Sequence, residues 1–259
     1  MEQSSKRLIG ELTSPEILQI VSKTSILCMP VGSIEQHGPH LPLNTDTILA
    51  EAFTQRIIAR WCKTFDLWQL PTLSVGLSRE HSWASGTISH SIQTMTALLR
   101  DYGSEIARAL PTRNLVVVNG HGGNRGILEA LARELSVDFG LNFCALHIGA
   151  LMGQSSNAVI PEIHGGKDET SVMLVLAPHL VRRDRIAQIK TSSDGKIINA
   201  LILDQATSWP WSSDDQRIAD LGVIGDAQAA SEEYGQALIE RGVESAGGVL
   251  KQLLDNQRR

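Results

Sequence analysis

Ser25-Ile-Leu-Cys-Met-Pro-Val31 runs straight into Gly32-Ser-Ile-Glu-Gln-His-Gly-Pro-His-Leu-Pro-Leu-Asn-Thr-Asp-Thr47. The first segment is a short apolar run, the pattern of a strand buried in a sheet. The second places Glu35, His37, His40 and Asp46 within a dozen residues, in a loop stiffened by Pro39 and Pro42. Carboxylate and imidazole together are the ligand set of a hydrolytic zinc, manganese or iron site. A polar surface loop with incidental charges has the same composition, so the choice falls to the rest of the chain.

Working outward, the same strand-then-loop pattern recurs. Leu115-Val-Val-Val118 is a second buried strand, and it ends in Asn119-Gly-His-Gly-Gly-Asn124. Trp68 to Leu73 and Asn142 to Ile148 read as two further strands. Between them, helical spacing of apolar residues predicts helices from Ser14, with Pro15 in the first turn, to about Ser22. Others run from about Thr47 to Trp61, Ile92 to Leu110 behind a Ser91 cap, and Arg125 to Phe139. Val172 to Ala177 reads as a helix capped by Asp168 and stopped by Pro178. A long helix opens at Asp226 and runs to about Asn256, with Gly242 and Gly247-Gly248 as possible breaks. Residues 149 to 163 and 190 to 225 read as irregular; the latter hold Ser192-Ser-Asp-Gly195 and the Trp209-Pro-Trp211 pair. Alternating strands and helices define one α/β domain over residues 1–259, with a mostly parallel sheet covered on both faces.

The whole chain narrows the function classes. Its 259 residues can bury a large core without staples. A formal net charge of −5 with no basic stripe argues against nucleic acid. Cys28, Cys62 and Cys144 are odd in number and lack C-x-x-C spacing, as in a reducing compartment. No apolar stretch follows Met1–Arg7, and no window reaches the ~18 apolar residues of a membrane span. The expectation is a cytoplasmic protein with no membrane partner.

In open parallel sheets, ligand sites gather beyond the carboxyl ends of the strands. The Glu35/His37/Asp46 loop and the His121 loop therefore face one crevice, and His164 and Glu169 open a third connection there. A divalent ion in that crevice lowers the pKa of bound water to about 7 and polarises a carbonyl. Glu35, His37, Asp46 and His121 supply most ligands of an ion pair, and Glu169 could complete it. Each residue also has a plainer reading. His121 fits a hydrogen-bonded turn as well as a ligand. Gly122-Gly123 could cradle phosphate but lacks the phosphate-loop spacing. Ser78 fits a substrate hydrogen bond or turn chemistry, with no nucleophile elbow around it. Glu80 and His81 line the crevice or tie down their loop, and His164 is a general acid/base or a structural residue. His90 and His179 read as surface or capping residues, and the two tryptophans as core or subunit contact.

Four blocks resemble the creatininase family of metal hydrolases: Gly32 to Asp46; Gly76-Leu-Ser-Arg-Glu-His81 with Gly86-Thr87; Asn119 to Asn124; and His164-Gly-Gly-Lys-Asp-Glu-Thr-Ser171. Gly222-Val-Ile-Gly-Asp226 is also similar. The resemblance implies a three-layer α/β/α fold and two divalent metal ions per subunit (Zn, Mn or Fe). It implies hydrolysis of a C–N bond by a metal-bridging hydroxide, and a homohexamer built as a trimer of dimers. Glu35 and His121 then match ligands of one ion, His37 a ligand of the other, and Asp46 the bridge. His164 matches the group that passes a proton to the leaving nitrogen, and Ser78 a substrate contact; His40 is left as a structural member of its loop. Creatininase proper carries Tyr-Glu where this chain has Gly122-Gly123, and that Glu binds the second ion; Glu169 is the candidate replacement, acting as ligand and in catalysis. Ile160-Pro161 stands in place of a Trp-Asp pair that packs on creatinine. The glycine pair resembles instead the formamide deformylases and the mycofactocin-maturation peptidase, although Lys167 differs from the acidic residue of the deformylases. Expected substrates are therefore a small amide, cyclic amide or formamide, with Ser78, Glu80, His81 and Gly122 as contacts, or else a modified peptide. A non-catalytic small-molecule binder on the same fold is the remaining alternative.

Overall fold

The computed structural model describes residues 7–153, 160–190, 195–204 and 206–257. The N-terminal segment before Arg7, most of the irregular stretch before Ile160, and residues 192–194 lie outside the described residues. Four strands, β1 (Ile26–Val31), β2 (Leu67–Gln69), β3 (Asn114–Asn119) and β4 (Asn142–His147), form one parallel sheet in the order β2-β1-β3-β4. β1 and β3 end in step, Val31 opposite Asn119.

Side chains alternate across the sheet and both faces are buried. Ile26, Cys28, Val116 and Val118 enter one core, while Leu27, Met29, Val31, Leu115 and Val117 enter the other. The helices are α1 (Ser14–Ile20), α2 (Thr45–Trp61), α3 (Ile92–Ala109), α4 (Arg125–Phe139), α5 (Ile148–Met152), α6 (Lys167–Leu176), the single turns α7 (Arg183–Ile186) and α8 (Gly195–Ile198), and α9 (Glu232–Gln257). α2, α6 and α9 cover the first face through Phe53, Met173 and Leu238. α3 and α4 cover the second through Met95, Leu99, Leu128 and Leu131. This is the three-layer α/β/α architecture.

Several boundaries differ from the sequence expectation, each for a local reason. β2 stops at Gln69 instead of Leu73, because Pro71 has no N–H with which to continue a ladder. Thr13, not Ser14, precedes the first helix, and the Glu16 carboxylate accepts the Thr13 backbone N–H at 2.7 Å. α5 occupies part of the stretch that reads as irregular; Gly149 and Gly153 mask its pattern. Asp168 does not cap α6: Gly166 holds that position, and Asp168 accepts the Tyr234 hydroxyl at 3.0 Å. Asp226 is followed by a single 3-10 turn, and α9 starts only at Glu232, with the Ser231 hydroxyl accepting the Tyr234 N–H. α9 runs unbroken through its glycines, since Gly247 makes room for the Trp61 ring.

The connectivity decides where a site can form. From β1 the chain passes through α2 to β2 on one side, then returns past β1 to β3 on the other. A crevice therefore opens between the carboxyl ends of β1 and β3, where the strand order reverses.

Candidate metal centre

Asp46 sits in the first turn of α2, and that turn is drawn down between the two strand ends. A Cβ on Gly32 would lie 2.5 Å from Thr47 Cα, and one on Gly120 would lie 2.3 Å from the Asp46 carbonyl oxygen. Only glycine at both loops lets the helix come so close. The buried Asn124 amide then ties three loops together: it donates to the Gly32 and Asn119 oxygens and accepts the Leu77 N–H.

Asp46 faces two imidazoles at once. Its Oδ1 is 3.3 Å from His37 Nε2, and its Oδ2 is 3.1 Å from His121 Nδ1. Glu35 Oε2 is 3.3 Å from His121 Nε2, and Glu169 Oε2 is 3.7 Å from His37 Nε2. Among the described residues four groups of three could hold an ion, and two of them, Glu35/Asp46/His121 and His37/Asp46/Glu169, share the Asp46 carboxylate. Glu169 lies beside His37, and its group meets the Glu35/Asp46/His121 group only in the shared Asp46. A side chain at position 123 has no room: a Cβ on Gly123 would meet the Leu77 carbonyl at 2.3 Å and Glu80 Oε1 at 2.6 Å.

Each imidazole is held by one nitrogen and offers the other. His37 Nδ1 donates to its neighbour Glu35's carbonyl, His121 Nε2 to the Leu77 carbonyl and His164 Nε2 to the Gln36 carbonyl. Carbonyls only accept, so these contacts fix the tautomers. The free nitrogens are His37 Nε2 and His121 Nδ1, both facing Asp46, and His164 Nδ1, 3.5 Å from Glu35 Oε1.

The hollow between them is electrostatically incomplete. Both Glu35 oxygens, Asp46 Oδ2 and His37 Nε2 are buried and make no hydrogen bond among the described residues. A buried polar atom left unpaired costs about 1–3 kcal/mol, so four at one point call for a group that satisfies them together. Carboxylate oxygens and imidazole nitrogens are the donor set of divalent Zn, Mn or Fe, and the residues fit such ions.

Burial opposes charge on every group here, and the balance differs by position. For His37 the Asp46, Glu169 and Glu35 carboxylates outweigh burial and raise its pKa to about 10. Glu35 and Asp46 likewise outweigh it at His121, which is raised well above the usual imidazole range. His37 and His121 hold Asp46 below the usual carboxylate range against burial. Burial lifts Glu169 to about 7 despite His37. His164 has no such support: burial, then His81 and His37, push it well below the imidazole range, so it is neutral at pH 7.

Other sequence candidates fall around this hollow. Glu80 lies at its edge, 3.5 Å from His121 Nε2 and partly exposed. Gly122 is open, with nothing within 4 Å of a Cβ there. Ser78 is buried, bonded to Ser33 Oγ, with His121 Nε2 at 3.5 Å. His81 does not line an open crevice; it is buried behind His164, the rings 4.0 Å apart. His40 turns away to Thr170, 2.8 Å from its Nε2. Trp211 meets His81 edge-on, while Trp209 is exposed. Sequence reading misses Gln36 and Ser213. Gln36 lies inside the signature loop between two candidate ligands, which was its one signal; Ser213 sits in a stretch with no pattern at all.

The sequence profile described as creatininase, creatinine amidohydrolase, matches residues 10–250. A mycofactocin precursor peptide peptidase from Mycobacterium tuberculosis is 39% identical over 188 residues, 69% of each chain. A creatinine amidohydrolase from Pseudomonas putida is 28% identical over 96% of this chain and 98% of its own. A solved structure of creatininase in a manganese form superposes with a TM-score of 0.76 at 25% identity, covering 96% and 98% of the two chains. With an α/β/α sheet whose switch point carries a carboxylate–imidazole cluster, the chain belongs to the creatininase family of hydrolases. No helix among the described residues is long and apolar enough to cross a membrane.

Proposed function

We propose that this protein is a metal-dependent amidohydrolase that cleaves one C–N bond, with two divalent ions held by Glu35/Asp46/His121 and His37/Asp46/Glu169. The observation that carries the reading is the convergence of three imidazoles, each anchored through one nitrogen to a backbone carbonyl, on unpaired buried carboxylates. When bound, the ions supply Lewis acidity and an acidified water. The chain supplies the rest. Asp46 holds the two halves of the cluster at a fixed spacing, one oxygen to each. His164 is neutral and has Nδ1 free, so it takes the proton released as water attacks the carbonyl and returns it to the departing nitrogen. Glu80, at the edge of the hollow, is placed to hold the substrate.

The substrate class is a small amide, cyclic amide or formamide. A second reading, an amide within a modified peptide, is supported by the name of the M. tuberculosis relative and by the open ground at Gly122. Next to it an open cleft of about 460 Å³ runs from Gly123 past Glu80 to Ile92. The remaining features of the proposal are a single functional unit over residues 1–259, a hexameric assembly and a cytoplasmic setting; the three unpaired cysteines support the last. The test is a panel of formamides, cyclic amides and short peptides offered to protein loaded with Zn, Mn or Fe. Turnover should vanish on chelation and return with metal. Turnover that survives complete removal of metal would sink the proposal.

A further inference from the structure

Ser213 lies in a stretch with neither helix nor strand, yet it is 1% exposed. Its hydroxyl is the meeting point of side chains from two other loops. Trp83 Nε1 donates to it at 2.8 Å and Gln36 Nε2 at 3.2 Å. His81 Nδ1 lies 2.7 Å away. The Ser213 backbone N–H donates to the Glu80 carbonyl at 3.0 Å, fixing the hydroxyl in place.

A serine hydroxyl has two lone pairs and one proton. Indole and amide N–H groups can only donate, so Trp83 and Gln36 take the lone pairs. Of the two acceptors within reach of the proton, His81 Nδ1 at 2.7 Å is much nearer than the Glu80 carbonyl at 3.4 Å, so the hydroxyl donates to His81 Nδ1. His81 Nδ1 is therefore an acceptor, and its proton sits on Nε2, 3.5 Å from Glu35 Oε1. The amide orientation of Gln36 is itself set, because its Oε1 accepts the Gly38 N–H at 2.8 Å and its Nε2 donates to the Gly222 carbonyl.

His81 in turn is the plate against which His164 lies. The rings are stacked 4.0 Å apart at 25°, and His37 flanks His164 on its far side at 4.2 Å. Fixing the His81 ring therefore fixes the plane of His164 and the direction of its Nδ1. The Ser213 hydroxyl is placed to do so through a single proton.

We infer that Ser213 is a positioning residue for the hydrolytic site: its hydroxyl sets the His81 tautomer and ring plane, and through the stacked His81 it orients His164. This deepens the proposed hydrolase and rests on it for the consequence on turnover, but not for the tautomer. Two measurements separate the two. In the full-length, zinc-loaded protein with ¹⁵N-labelled histidine, long-range ¹H–¹⁵N correlation should show His81 protonated at Nε2 and bare at Nδ1. Ser213→Ala should lose that single tautomer, and Ser213→Thr should keep it. On whichever panel compound is turned over, Ser213→Ala should lower kcat about tenfold or more with KM within twofold and metal content unchanged, and Ser213→Thr should restore most of kcat. A His81 protonated at Nδ1 in the parent, or a tautomer unmoved in Ser213→Ala, overturns the assignment whatever the activity. An altered tautomer with kcat unchanged overturns the positioning role. Should no compound be turned over, the tautomer measurement still decides the assignment, and the hydrolase reading fails separately.

Discussion

The loops leaving β1 and β3 place Glu35, His37 and His121 through strand register: two ladders end in step at Val31 and Asn119, and the ligands follow within six residues. The opposite wall, His164, Glu169 and Ser213, has no strand of the sheet beneath it. It is pinned by one backbone bridge and by side chains. His164 pairs with Ile224 in an isolated bridge, and the Glu162 carboxylate accepts the backbone N–H groups of Lys167 and Asp226. Ser213 and Gln36 complete the fastening. The candidate ligands Glu35, His37 and His121 thus rest on paired strands, and the wall that carries His164 and Glu169 on a web of hydrogen bonds. The first should fail as a unit; the second should weaken one contact at a time.

Asp46→Ala strikes the first half at its shared ligand and should have the largest effect. Metal analysis should show loss of both ions and assays no turnover, with circular dichroism still native; a variant retaining one full equivalent of metal would mean that Asp46 is not the bridge. His164→Gln strikes the second half. Loss of a positioned proton carrier lowers kcat by about 10²–10⁴-fold, and here metal content should stay at the parent value. If metal is lost as well, the two halves are not separable. Gly123→Ala probes the seam between them. The added methyl has only the Leu77 carbonyl, His121 Nε2 and Glu80 to push against. Overpacking of this kind costs about 1–3 kcal/mol, read as a lower midpoint in urea unfolding together with weaker metal binding.

The smallest effect belongs to Glu162, and it depends on pH. Burial raises its pKa from the ordinary 4.5 to about 7, against the two backbone N–H groups that favour its charge. A carboxyl with a raised folded pKa stabilises the fold through its protonated form. That contribution is complete below about pH 4.5 and is lost as the pH rises through 7. Glu162→Gln holds the neutral form at every pH. The difference in melting temperature, variant minus parent, should therefore become more positive between pH 5 and 7.5. A difference that is flat with pH would show that Glu162 does not titrate in this window.

This contrast also explains what can be read from the sequence. Ser25–Val31 and Leu115–Val118 are apolar runs ending in chemistry-bearing loops, and period and position alone lead to the switch point. Glu169 can be nominated only through the family resemblance, which implies a carboxylate where this chain has Gly123. The fastening of the other wall leaves no periodic trace. Ser213 becomes meaningful only when Trp83, Gln36 and His81, scattered over 48 residues, are brought around one oxygen. His81 reads as a lining residue because its sequence neighbour Glu80 is one; a 3-10 turn at Arg79–His81 sends the two side chains in different directions. Helix ends misread at Asp168 and Asp226 share a cause: both aspartates suit a cap in sequence, while Gly166 and Ser231 stand at the helix starts that the fold adopts.

α9 closes the core that α2 and α6 leave open, burying Leu238, Ile239, Ala246 and Leu250 against them. Synthesis runs from the amino end, so more than a hundred residues separate the emergence of His121 from that of α9. Throughout that interval the nascent chain carries every member of the Asp46 cluster except Glu169, then all of them, with one face of its sheet only partly covered. Parallel sheets assembled from distant segments are slow to form and expose apolar surface while they wait. Until α9 packs, that apolar surface stays exposed, and a chain cut within α9 should be recovered as aggregate rather than as folded protein.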